Sequence, residues 1–172
     1  YMYDHKDFSL NEYINQYYPA EEKIVITNFH RYENLVSENV YVSYMIDSLW
    51  TMPKPLFENM DAKDIGAANV SADGSEIYFS TSSLYDGYGS CDIYCVKFTD
   101  GKWSAPHNIK SINSPEGESQ PSISADGKEL YFVRGNRKAG ITDIFVSYRD
   151  FEGNWSKAER LRQKITTDGN ER

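Results

Sequence analysis

The chain has 172 residues, a net charge of −8 and 40% hydrophobic residues, among them 14 Tyr, 8 Phe and 3 Trp. That is enough apolar material for a core in one or two domains, and the aromatic weighting suits pleated, half-buried strands. The acidity and the lack of any Lys/Arg run argue against nucleic acid, whose phosphates need clustered cations. The longest apolar runs, about four residues such as Leu130-Tyr131-Phe132-Val133, fall far short of the ~20 that a transmembrane helix needs.

Residues 1–19 are the least regular part. Ser9 and Glu12 have capping-box spacing. Leu10, Tyr13, Ile14 and Tyr17 have helical spacing. A short helix near 9–15 is expected, leading into an irregular inner strand near 15–18 that Pro19 ends. The sequence begins at Tyr1 without a basic and apolar leader, so a signal peptide is expected to be absent or already removed.

From Glu21 onward a repeat organises the chain. Ser71-Ala72-Asp73-Gly74-Ser75-Glu76-Ile77-Tyr78-Phe79 returns 53 residues later as Ser124-Ala125-Asp126-Gly127-Lys128-Glu129-Leu130-Tyr131-Phe132. Ile24-Val25-Ile26-Thr27 aligns with the apolar end of both at the same spacing. A second apolar strand follows in each copy: Val40–Tyr44, Ile93–Lys97 and Ile144–Tyr148. Next come a turn and a tryptophan, Trp50, Trp103 and Trp155, each followed by an extended segment. The linker 111–118 leads into the next copy, and 164–171 repeats its shape, with Glu118 and Glu171 again 53 apart.

Each unit thus offers four strands, in the third copy near 120–124, 129–134, 143–149 and 155–161. Four antiparallel strands in a repeat of about 50 residues is the size of a propeller blade. The predicted fold is all-β, a β-propeller of four-stranded antiparallel blades with about three blades in this chain, a partial propeller. A lead-in at 1–19 precedes repeats at about 20–66, 67–119 and 120–172. Three blades do not close a ring. Further blades are expected from a longer parent chain or a second copy.

Within the turns, Asp73 and Asp126 are read as accepting backbone hydrogen bonds, and Gly74 and Gly127 as supplying a positive φ. Asp92 and Asp143 are read as bonding backbone at the start of the third strand, and Glu118 and Glu171 as bracing the linkers. The repeated Trp suits a wedge between blades near their outer edge.

Catalytic constellations are not evident. His5, His30 and His107 lack partners at metal-ligand spacing, and no nucleophile elbow exists. Gly87-Tyr88-Gly89 lacks a phosphate loop's context. Cys91 and Cys95 on one extended strand stand roughly 13 Å apart at ~3.3 Å per residue, too far for a disulfide. No metal or cofactor is expected.

Ser-x-Asp-Gly before Leu130-Tyr131-Phe132, then 87–94 (Gly-Tyr-Gly-Ser-Cys-Asp-Ile-Tyr), 101–106 (Gly-Lys-Trp-Ser-Ala-Pro) and 112–118 (Ile-Asn-Ser-x-x-x-Glu) resembles the TolB-like, WD-repeat-like propeller family of bacterial envelope proteins. The resemblance covers roughly residues 20–172. The first copy departs from it, with Pro19-Ala20-Glu21-Glu22 in place of the Asp-Gly turn. The resemblance implies a binding or scaffold propeller without catalysis of its own, periplasmic or outer-membrane-associated. Such propellers stand beside tetratricopeptide or OmpA-like peptidoglycan-binding modules. The alternative is the propeller portion of a hydrolase whose catalytic part lies elsewhere.

Binding belongs on loops. Those between the second and third strands share one rim with the linkers and gather Phe29, His30, Arg31, Tyr32, Tyr85, Asp86, Tyr88, Arg137 and Lys138. Aromatic and Arg side chains are the usual interface anchors. Phe29, Arg31, Tyr32, Tyr85, Asp86, Tyr88 and Arg137 are therefore the candidate binding residues, for a protein partner or a peptidoglycan or other glycan.

Overall fold

A computed structural model describes residues 24–28, 39–57, 64–136 and 140–161. The helix expected near 9–15, the inner strand near 15–18 and the stub at 164–171 lie outside them. Every element among the described residues is a strand, and the strands form three antiparallel sheets. The first sheet holds β1 (Ile24–Asn28), β2 (Val40–Ile46), β3 (Leu49–Trp50) and β4 (Lys54–Pro55). The second holds β5 (Ile65–Val70), β6 (Glu76–Thr81), β7 (Asp92–Thr99), β8 (Lys102–Trp103) and β9 (His107–Asn108). The third holds β10 (Glu118–Ile123), β11 (Glu129–Asn136), β12 (Ile141–Tyr148) and β13 (Glu159–Arg160). Successive strands of a sheet pair, except that β4 pairs with β2 and β9 with β7, and each sheet is one propeller blade.

The tight turns follow from local chemistry. In the second blade Ser71 donates to Asp73 at 2.6 Å, and the Ser75 amide donates to the same carboxylate at 3.0 Å. The Glu76 amide donates back to the Ser71 hydroxyl at 2.9 Å. The third blade repeats the set with Ser124, Asp126, Lys128 and Glu129. Gly74 and Gly127 sit at φ 73° and 70°, a region that costs a side-chain-bearing residue about 1–2 kcal/mol.

The outer strand differs from the continuous segment expected at 155–161. In every blade it is broken into a short pair beside the Trp and a second pair four or five residues on. The hydroxyl after each Trp explains the break. Thr51, Ser104 and Ser156 each accept the backbone N–H of the third strand, from Tyr44, Lys97 and Tyr148 at 2.9–3.0 Å. Each also donates its own N–H to the carbonyl of that residue at 2.8 Å. A side chain has replaced one rung of the ladder, so regular pairing stops there. The first blade also departs in register. Ile24 pairs with Tyr44, the place Glu76 takes opposite Lys97, so β1 stands one residue away from the alignment with Ile77. The Asp-Gly sequence of the other copies is missing before β1, and turn geometry helps to pin register.

The blades stack through two apolar layers. Between blades one and two, Val40, Val42 and Tyr44 meet Ile77, Phe79, Tyr94, Val96 and Trp103. Between blades two and three, Tyr78, Ile93 and Cys95 meet Leu130, Phe132, Phe145 and Trp155. Strand β6 therefore has neighbours on both faces, and all six of its residues are buried. This is why its sequence lacks polar–apolar alternation.

Polar clasps reinforce the layers. Trp103 Nε1 donates to the Tyr44 hydroxyl at 3.1 Å. Trp155 packs edge-on to Tyr78, centroids 6.0 Å apart. Beside it Arg149 grips Glu76 with two hydrogen bonds of 2.8 and 2.7 Å. Tyr78 donates to Glu76 at 2.7 Å, and Lys97 lies 3.1 Å away. The Arg149 guanidinium also sits over the Trp155 ring at 5.3 Å.

Burial works to raise the Glu76 carboxyl, but Arg149, Tyr78 and Lys97 outweigh it and hold its pKa at about 2. An unfolded glutamate titrates near ~4.3. The ionised form is thus favoured in the folded state. Its contribution is complete above about pH 5 and is lost as pH falls through about 2. We expect Glu76→Gln to cost roughly 3 kcal/mol in urea unfolding at pH 7. The gap from wild type should narrow steadily from pH 5 to pH 2. A gap independent of pH would contradict the assignment.

Candidate functional site

The loop between β6 and β7 and the linker between β9 and β10 build one rim. Asp92, at 1% exposure, heads β7 and closes the loop. Its carboxylate accepts the amides of Tyr88 at 2.6 Å and Gly89 at 2.8 Å, and the Asn108 side-chain amide at 2.9 Å. Asn108 also donates to the Asp86 carbonyl at 3.2 Å. Buried Tyr94 donates its hydroxyl to Asp86 Oδ1 at 2.9 Å. Burial pushes that hydroxyl well above the ordinary tyrosine range, and the charge on Asp86 adds to the effect, so Tyr94 remains a neutral donor. Leu84 anchors the start of the loop in the layer between blades one and two.

The linker is docked against this loop. The Ser90 amide donates to the Glu116 carbonyl at 2.8 Å, the Glu118 amide to the Cys91 carbonyl at 2.7 Å, and the Gly135 amide to the Gly117 carbonyl at 3.0 Å. Asn113 acts as a strand edge, accepting from the Ile93 amide and donating to its carbonyl, both at 2.9 Å. Glycine is required at the crossing. A Cβ on Gly89 would lie 2.0 Å from the Glu116 carbonyl oxygen and 2.4 Å from that of Ser114.

Below the linker, Glu118 is fully buried. It accepts Ser114 N at 3.1 Å, Ser114 Oγ at 2.5 Å and Arg134 Nε at 2.7 Å. Burial raises the Glu118 carboxyl against the lowering pull of Ser114 and Arg134. Arg134 also donates to the Ile112 carbonyl and lies 4.4 Å over the Phe145 ring, tying linker to blade.

From this braced loop two tyrosines project, Tyr85 at 99% and Tyr88 at 65% exposure. Asp86 lies between them with one carboxylate oxygen held by Tyr94. The structure thus places three of the candidate binding residues on one loop. Phe29, Arg31, Tyr32 and Arg137, with His30 and Lys138, lie outside the described residues. His107 is exposed in β9.

Sequence reasoning missed the braces Asn108, Asn113, Tyr94 and Arg134. Asn113 and Tyr94 carried a signal, through their places in the 112–118 and 87–94 phrases, and Asn108 and Arg134 carried none. Asp143, another of the recurring carboxylates, is engaged. It pairs with Arg160 at 2.5 Å, at the places Asp92 and Asn108 occupy in blade two. Cys91 and Cys95 are not joined by a disulfide, and burial pushes Cys95 up to about 12, well out of reactive range. Among the described residues no group of three or more His, Cys, Asp or Glu is placed to hold a metal ion. No helix among them is long and apolar enough to cross a membrane.

We expect Gly89→Ala to cost about 2 kcal/mol or more in urea unfolding, because backbone rather than a flexible side chain must yield. Tyr85→Ala should stay within ~0.5 kcal/mol of wild type. Equal costs would mean that the tyrosine, and not the crossing, holds the loop.

No family model matches the chain, and no curated protein sequence matches it. Solved structures do. TolB from Acinetobacter baumannii superposes with a TM-score of 0.54 at 14% identity, over 85% of this chain and 31% of that one. A putative TolB from Agrobacterium tumefaciens gives 0.55 at 22% identity, over 81% and 45%. The Hadza microbial sialidase Hz136 gives 0.59 at 12% identity, over 81% and 35%. This chain therefore spans between about a third and just under half of these structures. At such identities the likeness concerns the fold: the chain is a run of β-propeller blades.

Proposed function

We propose that the chain belongs to a non-catalytic scaffold propeller of the bacterial cell envelope, periplasmic or outer-membrane-associated, and presents the rim at Tyr85–Tyr88 to a protein or peptidoglycan partner. The observation that carries the reading is the pairing of exposure with rigidity. Two tyrosines lie open to solvent on a loop that Asp92, Tyr94, Asn108 and Gly89 hold in one shape. Open aromatic rings on a fixed backbone bind with little ordering cost, and tyrosine is a frequent interface anchor. The TolB likeness supports a binding propeller.

A hydrolase portion is the second reading, and the sialidase likeness favours it. The buried carboxylates of these blades would not be its catalytic pair, so on this reading the chemistry sits outside this chain. Glu76 is held by Arg149, Glu118 by Arg134 and Asp92 by the loop amides. A catalytic pair needs two carboxyl groups free to face one substrate.

The test compares wild type with a Tyr85→Ala/Tyr88→Ala variant. One arm is co-sedimentation with purified peptidoglycan sacculi, and the other is cross-linking in envelope extracts. Retention in one arm should fall tenfold or more in the variant, with unfolding unchanged. Capture unaffected by the double substitution in both arms would sink the reading.

A further inference from the structure

Each blade receives the next through a matched pair of side chains near its outer edge. The incoming pair lies across the outer hairpin, Phe98 opposite Trp103 in blade two and Arg149 opposite Trp155 in blade three. The receiving residues belong to the second and third strands of the blade before. Blade one offers Tyr44, which takes the Trp103 indole N–H. Blade two offers Glu76 and Tyr78, which take the Arg149 guanidinium and the Trp155 edge. At the acidic seat the residue opposite the tryptophan is a cation, whereas in blade two that place is taken by Phe98, packed on Trp103.

Blade three repeats the acidic seat. Tyr131 donates to Glu129 at 2.5 Å, as Tyr78 donates to Glu76 at 2.7 Å. Glu129 stands opposite Tyr148 just as Glu76 stands opposite Lys97. The difference is cover. Tyr78 is fully buried beneath Trp155, whereas Tyr131 is half-buried and Tyr148 is 44% exposed. Among the described residues no Lys or Arg pairs with Glu129.

The geometry points to the Glu129–Tyr131–Tyr148 face as the seat of a following blade that carries arginine at the end of its third strand and tryptophan six positions later. That arginine would grip Glu129, and its tryptophan would cover Tyr131. The solved propellers that resemble this chain are two to three times its length in coverage terms, which leaves room for such a blade. A second copy of this chain is the poorer occupant. Its first blade offers Trp50 with Met45 opposite, so Glu129 would lose water without gaining a cation, a costly burial. The inference does not depend on what the Tyr85 rim binds.

The experiment extends the whole 172-residue chain after Arg172 with a second copy of residues 120–172 and follows amide hydrogen exchange in β11 and β12. Exchange should slow tenfold or more relative to the unextended chain. The slowing should vanish when the appended arginine and tryptophan are both alanine. Glu129→Arg should also abolish it, and exchanging the appended arginine for glutamate in that variant should restore it. Absence of slowing, or equal slowing with the alanine extension, would overturn the inference. So would a dimer of the unextended chain in sedimentation that Tyr131→Ala dissolves, because that face would then seat a second copy.

Discussion

The structure depends on the seating of one blade's Trp155 and Arg149 on the Tyr78 and Glu76 of the blade before it. A four-stranded twisted sheet with apolar side chains on both faces cannot bury them alone. Stacking supplies the missing cover, but twist opens a wedge toward the outer edge. A tryptophan fills that wedge, and its neighbouring side chain matches the charge below it. A buried carboxylate such as Glu76 would be costly by itself. With a bidentate guanidinium, a tyrosine hydroxyl and a nearby ammonium it instead selects which blade can follow.

The rim inherits its rigidity from this stacking. Strand β10 lies against β5 and β6 of the preceding blade, and Asn69 Oδ1 accepts the Ile123 amide at 2.9 Å across the same junction. With the blades fixed, the linker must cross the top of β7 closely enough for Gly89 to touch carbonyl oxygens. The loop then has one conformation, and its exposed tyrosines face solvent from a fixed base. The inter-blade clasp, the linker crossing and the presented aromatic rings form one mechanical chain.

The blade architecture was legible because it repeats. Two copies of Ser-Ala-Asp-Gly and three Trp at near-constant spacing mark the all-β class and the blade repeat. What repeats inexactly was less legible. The β1 register stands one residue away from the alignment, and Pro19-Ala20-Glu21-Glu22 replaces the Ser-Ala-Asp-Gly sequence of the other copies there. The outer strand looked continuous because hydroxyl-for-carbonyl substitution at Thr51, Ser104 and Ser156 leaves no mark in a hydropathy pattern. The Glu76–Arg149 pair joins residues 73 apart in sequence, and its counterpart in the preceding junction is Phe98 rather than a cation. On the rim, Tyr85 and Tyr88 could be picked out as loop aromatics. Their support by Asn108 could not, because it reads as an ordinary strand residue until the loop folds over it.

The central claim is that blades two and three are coupled through the Trp155–Tyr78 contact. A double-mutant cycle measures it directly. Tyr78→Phe would leave the ring and its contact in place, so the cycle uses Tyr78→Ala, Trp155→Ala and the pair, each unfolded in urea at pH 7. The account predicts a coupling energy of about 1 kcal/mol or more, in the range for buried aromatic pairs. Additivity of the two substitutions within about 0.3 kcal/mol would contradict it.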